Sequence, residues 1–147
     1  MITKPFVGVL LALCAFEAAA AAPACVSVEQ GWVRLTPAAT RMAAGFARIR
    51  NGCASEMVVV GAGSKAFGDV SLHETTVAQG VSRMREIERL PIAAGTVAEL
   101  KPGGLHLMLM QPEVPLTEGT QLPLRLSLED GTKVDGMLQV RREVPAR

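Results

Sequence analysis

Four residues of this chain have the types and spacing of a soft-metal site: His73, Met84, His106 and Met108. His73 and His106 are its two histidines. Ten residues lie between His73 and Met84, twenty-one between Met84 and His106, and one between His106 and Met108. A methionine thioether is a soft, uncharged donor that suits Cu(I) far better than zinc or iron, and imidazole binds copper in either oxidation state. Two thioethers and two imidazoles make a neutral shell. Such a shell lacks the negative charge that carboxylates or a thiolate would set against Cu(II), so it favours the monovalent ion. The expected load is a single Cu(I) per chain, bound near the surface.

These side chains must be held by strands. After residue 25, turn signals recur about every 8 to 12 residues, separated by short segments rich in Val, Leu, Ile and Phe, which reads as an all-β sandwich or barrel. Strands are expected near 26–35, 43–50, 56–61, 68–74, 80–86, 97–101, 104–111, 121–129 and 133–141. Asn51-Gly52 reads as a tight-turn dipeptide. Glycines at 95, 103, 104, 119 and 131 fall where a positive φ is cheap. Residues 36–44 read as a loop or a turn of helix.

The segment 104–111 is the most informative. Leu105, Leu107 and Leu109 alternate with His106, Met108 and Met110. A period of two sends the leucines to one face and the His/Met set to the other. The leucines belong in the core. The opposite face then either wants soft ligands or is buried too. Methionine is also a common core filler, and Met42, Met57 and Met137 are read that way. Met110 stays open between a spare thioether at the site and packing beneath it.

Composition narrows the function classes. The chain has 147 residues, 49% of them apolar, which suits one domain with one core. Tyrosine is absent and only four Phe and one Trp are present. That argues against a carbohydrate-binding face or a base-stacking surface. Net charge is +1, with the signs interspersed and no basic run longer than Arg141-Arg142. Nucleic acid is therefore not an expected partner. No repeat, low-complexity tract or linker breaks the chain.

The N-terminal stretch has a different character. Lys4, the apolar run from Phe6 to Phe16 and the alanines from Ala18 to Ala22 read as a signal peptide over residues 1–22, with a mature domain over 23–147. The rival is a buried N-terminal helix. The run is too short for a permanent membrane helix, so no stable membrane insertion is expected. Lipid attachment at a cysteine fits poorly. Leu13 is bulky before Cys14, and Cys25 lies far from the apolar run. Cleavage leaves Cys25 and Cys53. An even count in an oxidising compartment favours a disulfide, with two free thiols or a metal site as alternatives.

The pattern His-x10-Met-x21-His-x-Met, with Leu72-His73-Glu74 at its start and Lys101-Pro102-Gly103-Gly104-Leu105-His106-Leu107-Met108-Leu109-Met110 at its end, closely resembles the PCuAC-type periplasmic copper chaperones. Gly31-Trp32-Val33-Arg34, the Asn51 turn, Leu90-Pro91-Ile92-Ala93-Ala94-Gly95 and Pro115-Leu116-Thr117-Glu118-Gly119 look similar too. The likeness covers roughly residues 28–141. It implies a cupredoxin-like Greek-key β-sandwich or barrel in the periplasm. It also implies Cu(I) bound by His73, Met84, His106 and Met108 and carried to an exported cuproenzyme. The usual client is the dinuclear copper centre of cytochrome c oxidase, with Sco-type thiol proteins in the same pathway. Departures from the pattern are Cys53 and Ser55-Glu56 after the Asn51 turn, Arg41 and Met42 in the loop, and a short C-terminal tail without added His or Met.

Other readings fit less well. A blue-copper electron carrier needs a cysteine thiolate with two histidines, and neither Cys25 nor Cys53 neighbours a histidine. No Ser/His/Asp set or carboxylate pair with pocket-like aromatics points to an enzyme. A plain structural sandwich would make the His/Met spacing a coincidence. A copper buffer without a dedicated client needs the same site as a chaperone.

Overall fold

The computed structural model describes residues 25–37, 39 and 41–142. The expected signal peptide, with Cys14, lies outside the described residues. Within them the chain is all-β: β1 (Val26–Leu35), β2 (Met42–Asn51), β3 (Met57–Gly63), β4 (Phe67–Ala78), β5 (Val81–Glu86), β6 (Leu90–Ile92), β7 (Val97–Leu100), β8 (Leu105–Pro112), β9 (Gln121–Leu128) and β10 (Lys133–Arg142). No helix among the described residues is long and apolar enough to cross a membrane.

The strands pair in the order β5-β4-β8-β2-β1-β10-β9-β3-β6, with β7 also paired to β2. β1 and β10 run parallel, while the partners on either side of them are antiparallel. The path folds over itself into a β-sandwich. Alternation drives this closure. Leu107 and Leu109 of β8 are fully buried, as are Leu126 of β9, Leu138 and Val140 of β10 and Val59 of β3. Each such side chain contributes about 1.5–3 kcal/mol on leaving water. The leucines of β8 thereby fix which way its other residues face, because a one-residue slip would turn all of them to water.

The nine strands expected from sequence are all present, with small changes at their ends. β6 was not expected. It is three residues long with Pro91 at its centre and ends the strand path, where a missing N–H does no harm. β4 runs to Ala78, four residues past its expected end. The whole reversal is compressed into Gln79 and Gly80, whose φ values are 52° and 74°. Two consecutive positive φ angles define the type I′ turn that matches the twist of paired strands.

Asn51-Gly52 does not form the expected tight turn. Asn51 ends β2 fully buried. Its Nδ2 donates to the carbonyls of Ser55 and Ile92, at 2.9 and 2.8 Å. Its Oδ1 accepts from the Cys53 amide at 2.9 Å. The side chain thus pins the loop after β2 and the end of β6. A single side chain replaces the backbone pairing that a turn would have supplied.

Cys25 and Cys53 are joined in a disulfide, with their Cα atoms 5.0 Å apart. This settles the choice left open between a bridge, two free thiols and a metal site.

Candidate metal centre

The candidate ligands come from three adjacent strands on the outer side of the sandwich. β4 carries His73, β5 carries Met84, and β8 carries His106 and Met108. His73 lies directly opposite His106 across the β4–β8 pair. Their ring centroids are 6.0 Å apart. Met84 lies opposite Thr75, one pleat along β4 on the face that carries His73. Its sulfur reaches to 3.1 Å from His106 Nε2. Met108 stands one pleat along β8 from His106, between Ser71 of β4 and Ala44 of β2. The fold therefore brings His73, Met84 and His106 directly together. It places Met108 on the same face, half-buried, in the next row.

Each placement has a local cause. The two-residue turn at Gln79-Gly80 fixes the β4–β5 register, so Ala78 pairs with Val81 and Thr75 with Met84. His106 is held by the turn before β8. Lys101 to Gly104 form a reverse turn closed by Gly104 N–H to the Lys101 carbonyl at 3.1 Å, with Gly103 at φ 81°. Proline second and glycine third are the residues a type II turn asks for. The turn aims the Gly104 carbonyl back at β4 and β8. It accepts from the Thr75 amide at 3.1 Å and from His106 Nδ1 at 2.9 Å.

That contact decides the chemistry of His106. A carbonyl only accepts, so Nδ1 must carry the proton, and in the neutral ring Nε2 keeps a bare lone pair. This lone pair faces a thioether sulfur, which also offers only lone pairs. Two acceptors at 3.1 Å have no proton to share in that form, so a cation that both could ligate fits between them. His73 is a parallel case. Its Nε2 lies 3.0 Å from Ser71 Oγ. Its Nδ1 is buried without a hydrogen-bond partner. If Nε2–H donates to Ser71, Nδ1 presents a free lone pair toward a metal, with the ring oriented as outer-shell partners usually orient ligating imidazoles.

Exposure differs across the set. His106 is only 7% exposed, while Met84 is 54% exposed. The site is closed beneath and open at the thioether of β5, the end strand of the path. Glu86 lies opposite His73 on β5 and is exposed. Arg85 pairs with Glu74 at 2.7 Å. Among the described residues no group of three or more His, Cys, Asp or Glu could hold a metal ion.

Two participants escaped the sequence reading. Ser71 sits two residues before His73, so period two alone would have put its hydroxyl on the same face. The Gly104 carbonyl was hidden because a motif written in side chains does not reveal what its backbone does. Of the methionines read as core fillers, Met57 packs against the core. Met42 and Met137 do not: they are 41% and 49% exposed. Both sit on the outward phase of their strands.

Known proteins resemble this chain in sequence and in fold. A relative in Leifsonia xyli subsp. xyli, "Putative lipoprotein Lxx21020", is 36% identical over 108 residues, which is 73% of this chain. The chain spans 64% of that relative's length. The solution structure of CuI-DR1885 from Deinococcus radiodurans is similar with a TM-score of 0.65 and 28% identity, covering 89% of this chain and 87% of that one. The apo PCuAC domain from PmoF1 shares the fold at a TM-score of 0.66 and 19% identity, over 82% of this chain and 96% of that domain. The model of the LpqE-like family ("Putative lipoprotein LpqE-like") matches residues 26–140, nearly the whole described sandwich, and the chain belongs to that family.

Proposed function

We propose that this protein is an exported copper carrier of the PCuAC type. In this reading it holds one Cu(I) with His73, Met84, His106 and Met108 and passes it to a cuproenzyme outside the cytoplasm. The observation that carries the reading is the meeting of His106 Nε2 and Met84 Sδ at 3.1 Å, two soft-metal donors that are both acceptors when Nδ1 of the neutral ring holds the proton. The bare Nδ1 of His73 supports it. So does the similarity to a Cu(I)-bound protein. The Cys25–Cys53 bridge fits an oxidising compartment. The lipoprotein name of the Leifsonia relative is consistent with export.

A carrier must also release its ion. The four ligands are neutral, and Met84 faces solvent. Anionic thiolates are stronger donors to Cu(I) than thioethers, so transfer runs toward a reduced cysteine-bearing acceptor. The copper-bearing subunit of cytochrome c oxidase, with Sco-type thiol proteins in its assembly, is the expected client. No reaction is assigned to the site: its residues bind and hand over the ion.

The test is oxidase activity in a deletion strain grown at limiting copper. The parent gene should restore activity, and the His73→Ala/His106→Ala variant should not. If oxidase and other exported cuproenzymes stay fully metallated in the deletion strain, the carrier reading falls and a copper buffer takes its place.

A further inference from the structure

The outer face does not end at the four candidate ligands. One pleat beyond Met108 on β8 stands Met110, half-buried. Its partner on β2 is Met42 and its partner on β4 is Asp69. The neighbouring row on the same face is Ala44, Met108 and Ser71. The residues between these rows, including Ala43, Val70 and Leu109, are buried in the core. Met42, Met108 and Met110 therefore cannot be core residues of the same strands: the pleat turns them outward.

A single exposed methionine means little. Three that adjoin are different. Directly opposed side chains on paired strands have Cβ atoms about 4.5–5.5 Å apart, and diagonal ones about 7–8 Å. Methionine is unbranched with three rotatable bonds and spans such gaps easily. The row ends on Asp69, an exposed carboxylate that supplies one negative charge. Ala44, a small residue, stands beside Met108 on β2.

We propose that Met42, Met108 and Met110, with Asp69 at the end of their row, form a second and weaker site for a soft monovalent cation of the Cu(I) class. It has no imidazole and lies more open than the first, so it fills later. It rests on the copper reading for the identity of its ion. Met108 belongs to both sets, so an ion can step from one to the other by exchanging ligands around it.

The probe is Ag(I), which shares the charge and softness of Cu(I) and does not change oxidation state. The protein, labelled with 13C at the methionine methyls, is titrated and followed by NMR. The first equivalent should shift Met84 and Met108, and the second should shift Met42 and Met110. Met137, which is 49% exposed and lies on β10 opposite Pro123, serves as the control. The Met42→Leu/Met110→Leu variant, which preserves side-chain volume, should lose the second equivalent and keep the first. The proposal is overturned if Met42 and Met110 do not shift at any equivalent, or if Met137 shifts in parallel with Met42, which would mean indiscriminate binding to exposed thioethers. If Met42, Met108 and Met110 respond while Met84 does not, the second site stands and the first assignment fails.

Discussion

Removing the Cys25–Cys53 bridge should cost much of the stability of the fold and none of its copper capacity. The bridge spans a sequence separation of 28 residues. In the chain-entropy account, closing a loop of that size takes about 3.6 kcal/mol of freedom from the unfolded chain. For a folded unit of roughly 115 residues, each kcal/mol moves the melting temperature by about 4 °C, so the Cys25→Ser/Cys53→Ser variant should melt about 14 °C below the parent. Copper should be unaffected for a geometric reason. The bridge ties the start of β1 to the residue pair just beyond Asn51, whereas β8 pairs with residues 42–45 at the other end of β2. Differential scanning calorimetry gives the first number. A Cu(I) titration against a competing chelator, done on the serine variant so that no reductant competes for the metal, gives the second. A melting shift below about 3 °C would refute the loop-closure argument. Loss of copper stoichiometry would refute the separation of bridge and site.

Further outcomes follow from the same geometry. The Met84→Ala/Met108→Ala variant should lose tight Cu(I) binding yet stay folded, with only a modest loss of stability, since Met84 is half exposed and Met108 is half-buried outside the core; unchanged affinity would sink the ligand assignment. Affinity for Cu(I) should fall on acidification, because protons compete for imidazole but not for thioethers; a profile flat from about pH 8 to about pH 5 would exclude imidazole ligation. Asn51→Ala removes three hydrogen bonds from a fully buried position and should destabilise the fold by about 2–4 kcal/mol, measured by urea unfolding. Gly103→Ala meets no atom within 4 Å, so its cost is conformational alone, about 1–2 kcal/mol for a positive φ; a neutral result would mean that the turn before His106 is not held as described.

Much of the sandwich was legible because its signals are short-range. The leucines of β8 announce their alternation within six residues, and the strand fell where that alternation put it. The candidate site was legible for the same reason: His106 and Met108 share a phase, and the chain has two histidines. What could not be read depended on long-range partners. The role of Asn51 requires Ile92, forty-one residues away, to supply a carbonyl. β6 exists because β3 offers it an edge, not because Leu90-Pro91-Ile92 favours a strand. The outward placement of Met42 was missed because residues 36–44 were read as a loop, which gives a side chain no phase. Once β2 begins at Met42, its pairing with Met110 decides which way it points.

The position of Met84 at the margin of the sheet sets how the molecule can let go of what it grips. Three candidate ligands stand on β4 and β8, strands hydrogen-bonded on both sides. The fourth stands on β5, which is paired along one side and exposed at every residue. Segments with few buried contacts open locally at far lower free energy than the whole fold. In the proposed copper reading, β5 is then the strand whose local opening would withdraw Met84 while His73, His106 and Met108 keep their places on β4 and β8. The tempo of handover would belong to one short ribbon rather than to the domain.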